Sequence, residues 1–499
     1  MDSNGFIKDL MDNMLQTDMN LEAHFREIRK GVIGNNGYFE SPFGIQKILY
    51  ADWVATGRLY RPIEERITDT LGPYFANTHS YSSETGKVTS NLYMEARDRI
   101  KKHVNADADD VLVTTGNGMT GALARLQQIM GLKGPRPSDP KAVPVVFITH
   151  MEHHSNQVSW SETMADIVIV PPGEDLMPCP EKLNDLLGEY KDRTYKIGAF
   201  TACSNVTGEV TDHKGLAKTM HAHGGVCFFD FAASAPYVDI DMHPNEPECR
   251  MDAIFFSPHK FLGGPGACGV LVFNKNLYRN EVPEIPGGGN VKWTTPWGKH
   301  RFFEDLETKE DGGTPGIIQT IKAALAIQLK EKMDTQFMAI KEQALLRLFR
   351  EKLKDLGEIH YLGNEHTQRI GCLSFNIQGI HYNLMVRLLN DRFGVQVRGG
   401  WSCASTFAHY LFGIDQARSS QIMDGIDGKN LENKPGWVRV SLHPVMEDLE
   451  VTYITEAIRS IVQNKDEWEK DYQYNPMTNE FEYLHGTHAS SGHPSFFEL

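Results

Sequence analysis

Short apolar segments alternate with amphipathic segments along the middle of the chain. Seven of them are rich in β-branched or aromatic residues: VLV at 111, VPVVFIT at 143, IVIV at 167, IGAFTA at 197, VCFFD at 226, AIFFS at 253 and GVLVF at 269. Nearly continuous apolar runs are typical of strands buried on both faces, and the helical segments between them predict crossover connections. The pattern therefore predicts a three-layered α/β core around a mostly parallel, seven-stranded sheet.

The pattern changes after this core. A helical periodicity from about 317 to 356 predicts one long helix that bridges two domains, and the segments after it predict a smaller α+β C-terminal domain with a polar insertion near 411–435. The predicted organisation is an N-terminal helical segment, a large α/β domain, the bridging helix with the small domain, and a polar tail, at 1–48, 49–315, 316–463 and 464–499.

Composition and charge limit the classes of function. The 499 residues are 40% hydrophobic and 23% charged, with no apolar run long enough to span a bilayer, so we expect no membrane association. A net charge of −15 argues against nucleic-acid binding, which needs lysines and arginines to replace phosphate counterions. The first twenty residues resemble neither a secretory signal nor a transit peptide, which predicts a cytoplasmic protein. Small molecules or proteins are the expected partners.

Lys260 follows the predicted strand AIFFS, with Ser257 and His259 before it and a glycine-rich segment after it. A lysine in an apolar, glycine-bounded turn is costly to bury unless it is paired or used chemically. Desolvation also lowers its pKa toward the neutral amine that attacks an aldehyde. Ligands of open α/β sheets bind beyond the carboxyl ends of the strands. Lys260 is therefore a candidate Schiff-base lysine, with an ordinary surface lysine as the alternative.

Two other strand ends suit a phosphorylated pyridine cofactor. Asp230 ends the strand VCFFD, where a carboxylate keeps a pyridine nitrogen protonated, although a simple capping aspartate fits the same pattern. In TTGNGMTGAL a strand leads through a glycine-rich turn into a helix, so Gly118, Met119 and Thr120 offer backbone N–H groups and a hydroxyl to a phosphate. The turn has neither a dinucleotide fingerprint nor the GK[ST] of a nucleotide P-loop, which favours a small phosphate cofactor.

Three histidines in THMEHHSN raise the question of a metal site. Two of them are adjacent and point apart, and no second cluster supplies carboxylates at ligand spacing. The seven cysteines are scattered without a CxxC pair, so we expect neither a zinc site nor a disulfide framework. No metal is predicted, and an imidazole stacked on a flat cofactor ring is the functional alternative to ordinary loop polarity.

The segment VRGGWSCAS brings a guanidinium and a thiol together after another strand. Arg398 has a planar guanidinium whose N–H groups can bind both oxygens of a carboxylate. Cys403 lies in a polar loop, which is typical of a reactive thiol rather than a buried one.

Taken in order, these segments resemble the class V aminotransferase group of fold-type I pyridoxal 5′-phosphate (PLP) enzymes, and within it the cysteine desulfurases and selenocysteine lyases. The resemblance runs from about residue 50 to 460, through YADWVATG, THSYSSETGKVTSNLYMEARDRI, GNGMTGAL, MEHHSN, CSNVTGE, FFDFAAS, SPHKFLGGPG, GGTPG, VRGGWSCA and VRVSL. It implies the PLP-dependent transferase fold of type I, an amino-acid substrate, a homodimer with sites at the interface and a sulfur-acceptor protein as a further partner.

The resemblance implies catalytic and substrate-binding roles for individual positions. Lys260 is then the Schiff-base lysine, Cys403 the sulfur acceptor and His153 the residue stacked on the cofactor ring. Asn205 contacts the ring hydroxyl or the substrate, and Arg398 binds the substrate carboxylate.

The remaining matched positions hold the cofactor. Asp230 is the partner of the pyridine nitrogen, and Thr314 reaches the phosphate of the neighbouring subunit. The other phosphate contacts are Gly118, Met119, Thr120, Ser257 and His259.

Some positions depart from the desulfurase pattern. The usual Asp-x-Ala-Gln or Asp-x-Ala-His reads Asp230-Phe231-Ala232-Ala233, so the side chain that bonds the cofactor's ring oxygen is missing. Gly-Met-Thr replaces the usual Thr-Thr-Glu of the phosphate turn, and the insertion separates Cys403 from Arg439. Carbon–sulfur bond cleavage is the function predicted. The alternatives are a class V aminotransferase or epimerase with Cys403 a bystander, and a catalytically silent dimeric scaffold.

Overall fold

The computed structural model describes residues 21–486. Parts of the predicted N-terminal segment and polar tail, residues 1–20 and 487–499, lie outside the described residues. The described chain begins in helix α1 (residues 21–29) and continues through strands β1 (Tyr38–Ser41), β2 (Gly44–Lys47) and β3 (Leu49–Tyr50). Helices α2 (Arg61–Glu65) and α3 (Glu84–His103) lead into the core, with a π-helical turn and a 3₁₀ turn between them at Arg66–Leu71 and Gly72–Tyr74.

The seven predicted strands form one sheet. They are β4 (Asp110–Thr115), β5 (Val145–Thr149), β6 (Asp166–Val170), β7 (Lys196–Thr201), β8 (Val226–Asp230), β9 (Ala253–Phe256) and β10 (Gly269–Asn274). Their order across the sheet is β4-β10-β9-β8-β7-β5-β6, and β10 runs antiparallel to both of its neighbours. The predicted mostly parallel α/β sheet is confirmed.

Helices cover both faces of this sheet. Between its strands lie α4 (Gly118–Ile129), α5 (His154–Ser161), α6 (Pro180–Glu189) and α7 (His213–Ala222), with 3₁₀ turns at Pro247–Cys249, Pro258–Lys260 and Lys275–Leu277. After β10 come a hairpin of β11 (Val291–Thr294) and β12 (His300–Phe302), and helix α8 (Leu306–Glu310). Successive side chains of a strand point to opposite faces, so the adjacent Phe228 and Phe229 of β8 pack into separate apolar layers.

The helical pattern after residue 316 forms two helices, α9 (Ile317–Met333) and α10 (Thr335–Leu353), so the prediction of one long helix was wrong. Asp334 separates them with φ of 64°, and its carboxylate accepts the N–H groups of Gln336 and Phe337 at 2.9 and 3.3 Å. An aspartate that caps a new helix gives no break in the apolar periodicity. Helix α9 packs against α3 of the large domain.

The smaller α+β domain follows. Its four-stranded antiparallel sheet has the order β13-β14-β17-β16 and consists of β13 (Ile359–Tyr361), β14 (Cys372–Ile377), β17 (Trp437–Ser441) and β16 (Arg398–Gly400). Helix α11 (Tyr382–Phe393) precedes β15 (Val395–Gln396), which pairs in parallel with β3. Helix α14 (Asp448–Trp468) packs against α10.

Two segments predicted as polar loop or tail contain regular structure. Between α12 (Ser405–Leu411) and β17, the insertion folds as helix α13 (Gln416–Asp427), which buries Ile422. The described part of the tail continues α14 and then forms a 3₁₀ turn (Glu469–Asp471) and a hairpin of β18 (Tyr472–Asn475) and β19 (Glu480–Tyr483). The insertion carries too few apolar residues for the periodicity to show, whereas YQYN and EFEY in the tail alternate aromatic and polar residues as hairpin strands do. Within residues 21–486, no helix combines the length and the apolar character needed to span a bilayer.

Candidate active site

A cleft of about 690 Å³ lies at the carboxyl ends of the parallel strands, where the small domain meets the large one. Eleven of the twelve predicted site residues line it: Gly118, Met119, Thr120, His153, Asn205, Asp230, Ser257, His259, Lys260, Arg398 and Cys403. Thr314 lines an adjacent depression that shares Gly266 and Gln319 with the cleft. The structure therefore places Thr314 beside the other predicted residues but outside their cleft.

Lys260 ends the 3₁₀ turn that follows β9, where its N–H donates to the Ser257 carbonyl at 3.0 Å. Gly264 closes this turn, since a Cβ there would lie 1.8 Å from the Pro258 carbonyl oxygen. Burial lowers the pKa of the Lys260 amine, and the Arg439 charge adds to this effect, while Asp230 opposes it. The amine is consequently neutral, and able to attack a carbonyl, at a lower pH than a free lysine.

Asp230 is the last residue of β8 and is 4% exposed. One of its carboxylate oxygens accepts the Ala232 N–H at 2.8 Å. Burial raises the pKa of Asp230 to about 6, although the Ala232 hydrogen bond and the Lys260 charge oppose this shift. A carboxylate in this position is stabilised by a cationic donor in the cleft, and a pyridinium N–H is such a donor.

The start of helix α4 forms a cradle at the other end of the cleft. Gly118 has φ of +59°, a conformation that glycine adopts without strain. Its position is also crowded, since a Cβ there would lie 3.0 Å from Ser257 Oγ, which accepts the Met119 N–H at 2.8 Å. Among the described residues, the Asn117 side chain makes no capping hydrogen bond to α4. The first turn of the helix therefore offers its other amides to an anion, together with the Thr120 hydroxyl, which lies 2.7 Å from Ser155 Oγ.

His153 precedes α5, and its Nδ1 accepts the Ser155 N–H at 3.1 Å. Burial lowers its pKa to about 4, with contributions from the Lys260, His154 and Arg439 charges, so the imidazole is neutral near pH 7. His150 and His154 bond other partners, the Leu176 carbonyl at 3.0 Å and Ser405 Oγ at 2.8 Å. The three rings thus have separate environments, and His153 is the one that lines the cleft.

Two arginines from neighbouring strands share one carboxylate. Arg398 of β16 and Arg439 of β17 are direct partners in the register of the small sheet. Arg398 Nε donates to one Asp52 oxygen at 3.0 Å and Arg439 Nη2 to the other at 2.7 Å. Arg439 Nη1 also donates to the Asn205 carbonyl at 2.9 Å, and its buried Nε has no hydrogen-bond partner among residues 21–486. Since one carboxylate offsets only one of two cations, this part of the cleft suits an added carboxylate.

Arg439 and Asp52 were not among the predicted site residues, although both lie in the quoted segments VRVSL and YADWVATG. The available signal was an arginine in the middle of an apolar strand, which is expensive to bury without a partner. Arg439 is 3% exposed.

Cys403 lies between β16 and α12 and is the exposed one of the seven cysteines, all of which are within the described chain. Ser402 and Cys403 both have left-handed backbones, with φ of 49° and 58°, which costs about 1–2 kcal/mol for each residue that is not glycine. The Ser402 carbonyl accepts the Asn205 amide N–H at 2.7 Å, and the Cys403 carbonyl accepts the His154 backbone N–H at 2.7 Å. Two donors from the large domain thus fix the thiol loop against the cleft.

Comparison with known proteins places these features in context. The sequence model of the class-V aminotransferase family matches residues 49–454. A probable cysteine desulfurase of Staphylococcus epidermidis is 28% identical over 395 residues, which cover 78% of this chain and 91% of that protein. One from Halalkalibacterium halodurans is 28% identical over 382 residues, covering 75% and 88%. The structure of the cysteine desulfurase from Thermococcus onnurineus superposes with a TM-score of 0.71 at 22% identity, covering 88% of this chain and 98% of that one, which confirms the predicted fold.

Proposed function

The chain belongs to the class-V aminotransferase family, and on that basis we propose that it is a PLP-dependent enzyme that cleaves the carbon–sulfur bond of cysteine, or the carbon–selenium bond of selenocysteine. Lys260 is the cofactor lysine and Cys403 the sulfur acceptor. The observation that carries the proposal is that the exposed Cys403 thiol lines the same cleft as Lys260, Asp230 and Arg398.

The residues of the cleft fit PLP. The first turn of α4 with Ser257 and His259 suits the phosphate, because Asn117 does not cap this turn and Ser257 Oγ, which accepts the Met119 N–H, lies beside Gly118. Asp230 suits the protonated pyridine nitrogen, and the neutral His153 ring suits stacking on the pyridine face. Ala233 also lines the cleft, and its methyl group offers no hydrogen bond to the ring oxygen.

PLP, when bound, supplies an electron sink for the charge that develops at the amino acid's Cα. The chain's own residues then hold the substrate and move protons. Arg398, together with Arg439, binds the substrate carboxylate. The Lys260 amine, whose pKa is lowered by burial, takes the Cα proton.

Sulfur transfer takes place at Cys403. The bond between the substrate's Cβ and sulfur breaks, a new bond joins that sulfur to Cys403 Sγ, and Cβ takes up a proton. Cysteine and one thiol thereby give alanine and one persulfide, and no outside oxidant or reductant is consumed. The persulfide sulfur then passes to an acceptor protein or thiol.

The test compares the products formed from L-cysteine by the wild-type protein, Cys403→Ser and Cys179→Ser. Cys179 is a half-buried thiol that does not line the cleft, which makes it a matched control. With excess dithiothreitol present to reduce the persulfide, we expect alanine and sulfide from the wild-type protein and from Cys179→Ser, and neither product from Cys403→Ser. Alanine formation that persists in Cys403→Ser contradicts the thiol role. 3-Mercaptopyruvate in place of alanine, with the cofactor left in its pyridoxamine form, identifies an aminotransferase.

Cofactor attachment is tested separately. We expect borohydride to fix PLP covalently to the wild-type protein but not to Lys260→Ala, as measured by the intact mass. A wild-type protein that neither absorbs in the near-visible with PLP nor retains it after reduction is the silent scaffold.

We further propose that the protein is a homodimer, in which Thr314 reaches the phosphate bound by the partner subunit, and that it is cytoplasmic. We also propose that the domain boundaries lie after residues 48, 315 and 463. The position of Thr314 in a depression adjoining the cleft supports the first of these.

A further inference from the structure

The insertion in the small domain is part of a segment that closes on itself. The Trp401 indole N–H donates to the Pro435 carbonyl, and Lys434 Nζ lies 4.7 Å from the centroid of the Trp401 ring. Residue 401 directly precedes the thiol loop (residues 402 and 403), and residue 435 lies two positions before β17. We call residue 401 and residues 404–437 the brace, since its two ends meet beside Cys403.

The helices of the brace pack into an apolar cluster that also includes residues from outside the brace. Phe407 of α12 and Ile422 of α13 are buried there with Trp401, Trp437 and Ile414, and Met151, Val206 and Leu362 belong to the same cluster. Phe412 stacks on Trp437 with centroids 5.9 Å apart and planes inclined by 20°. Side-chain packing of this kind gives the inserted helix one fixed position.

Polar contacts connect the two helices of the brace. His409 Nε2 lies 2.8 Å from Ser419 Oγ, which joins α12 to α13. His409 Nδ1 lies 2.7 Å from the Ser405 carbonyl, and Ser405 also bonds His154 of the large domain. The insertion is therefore linked through His409 and Ser405 to the loop that carries the thiol.

The brace also contacts the side chain of Ser402, one of the two residues with a left-handed backbone. The Trp437 indole N–H donates to Ser402 Oγ at 3.2 Å, and Trp437 is fully buried. Ser402 thus receives a bond on its hydroxyl from Trp437 and a bond on its carbonyl from Asn205. Left-handed backbones at residues other than glycine persist where the surroundings hold them in place.

We propose that Trp437 is a positioning residue, and that the brace holds Ser402 and Cys403 in their left-handed conformation so that the thiol faces the cleft before substrate arrives. The inference rests on the proposed function for its catalytic consequence. Its structural part concerns only the backbone of the thiol loop. Neither Trp437 nor α13 lines the cleft, so their effect on catalysis acts through Cys403.

Two substitutions at Ser402 separate the backbone conformation from the hydrogen bond. Ser402→Ala removes the hydroxyl that Trp437 bonds and leaves a residue strained at positive φ, whereas Ser402→Gly removes the same hydroxyl but relieves the strain. We expect Ser402→Ala and Trp437→Phe to lower kcat for alanine formation about tenfold, since a displaced reacting group costs up to about 100-fold. KM for cysteine and the absorbance of bound PLP stay unchanged. Ser402→Gly keeps most of the wild-type kcat. The double variant Ser402→Gly with Trp437→Phe has a higher kcat than Trp437→Phe alone.

Alkylation of Cys403 by iodoacetamide, followed by peptide mass spectrometry, tests the brace without catalysis. We expect the rate at Cys403 to change in Trp437→Phe and Ser402→Ala and to remain at the wild-type value in Trp468→Phe. The control removes an indole N–H at the end of α14, where the ring contacts Arg392 instead of the brace.

The outcomes are distinguishable. A kcat of Ser402→Gly that is as low as that of Ser402→Ala contradicts the proposed role of the brace. A Cys403 alkylation rate that is the same in all variants also contradicts it. A wild-type protein that forms no alanine overturns the proposed function, and the alkylation rates then still decide whether the brace holds the loop.

Discussion

Arg398 and Arg439 are cross-strand neighbours that bind opposite oxygens of the same carboxylate, Asp52, but they differ sharply in exposure. The Arg398 side chain is 53% exposed and that of Arg439 is 3% exposed. Removing one partner of a buried ion pair leaves an uncompensated charge, whereas removing an exposed one costs little.

The first prediction compares Arg439→Gln with Arg398→Gln. We expect Arg439→Gln to lower the free energy of unfolding by about 3 kcal/mol, and Arg398→Gln to lower it by less than about 1 kcal/mol. Each should raise KM for cysteine about tenfold, because a charge-assisted hydrogen bond contributes about 1.5–3 kcal/mol. Urea unfolding and steady-state kinetics measure the two effects. Equal stability losses would contradict the difference in burial.

The second prediction concerns the pH dependence of the cofactor-free protein. Folded Asp230 keeps its proton up to a pH near 6, while the unfolded chain releases it near pH 4. The folded state therefore holds the Asp230 proton more tightly between these values, and the contribution of Asp230 to the free energy of unfolding falls by about 3 kcal/mol as pH rises from 4 to 6. Asp230→Asn lacks this group, so we expect it to match the wild type at pH 4 and to exceed it above pH 6.

Glu342→Gln is the control for that pH dependence. Burial raises the pKa of Glu342 to about 8, and Glu342 bonds the Gly371 N–H at 2.8 Å rather than lining the cleft. The advantage of Glu342→Gln over the wild type should keep growing up to pH 8, whereas that of Asp230→Asn levels off near pH 6. Added PLP should stabilise Glu342→Gln as it does the wild type, and Asp230→Asn less, because the latter lacks the anion at the pyridine nitrogen.

The third prediction addresses Ala233. We expect Ala233→Gln to restore a hydrogen bond to the ring oxygen and thereby shift the absorbance maximum of bound PLP and its dependence on pH. Ala233→Leu adds similar bulk without a donor and serves as the control, since Ala233 is 5% exposed and a larger side chain disturbs its packing. If the leucine variant shifts the spectrum as much as the glutamine variant, bulk rather than hydrogen bonding is responsible.

The fourth prediction separates two glycines by what surrounds them. Gly264→Ala places a methyl group against the Pro258 carbonyl, so we expect the turn that presents Lys260 to be displaced. The affinity for PLP should then fall more than tenfold, which corresponds to a loss of more than about 1.4 kcal/mol in binding free energy. Gly188→Ala in α6 meets open space and should stabilise the protein by about 0.5–1 kcal/mol. Equilibrium dialysis with PLP and thermal unfolding measure the two effects.

The sequence is most informative where the fold repeats a simple pattern. Each strand of the large sheet is a run such as VCFFD or GVLVF, and β-branched or aromatic runs between helices predict a parallel sheet directly. Because the ends of such strands meet at one edge, the sequence alone predicts that Asp230 and Lys260 lie together.

Features that depend on distant contacts were missed. Asp52 and Arg439 are 387 positions apart, and no local pattern relates them. The left-handed backbone of Ser402 likewise depends on Trp437 and Asn205, which come from other parts of the chain. The helix break at Asp334 was missed for a local reason instead. A single capping residue divides the helical segment there without interrupting its apolar periodicity.

The paired arginines also determine how a substrate approaches. The chain as a whole carries a charge of −15, so at long range it repels anions. Within the cleft, two guanidiniums share a single carboxylate and leave an excess of positive charge at that wall. The field orients the dipole of an incoming amino-acid zwitterion so that the carboxylate enters first. The side chain of the amino acid then points away from the wall that carries the arginines. This orientation weakens with added salt, since the Debye length is about 8 Å at physiological ionic strength.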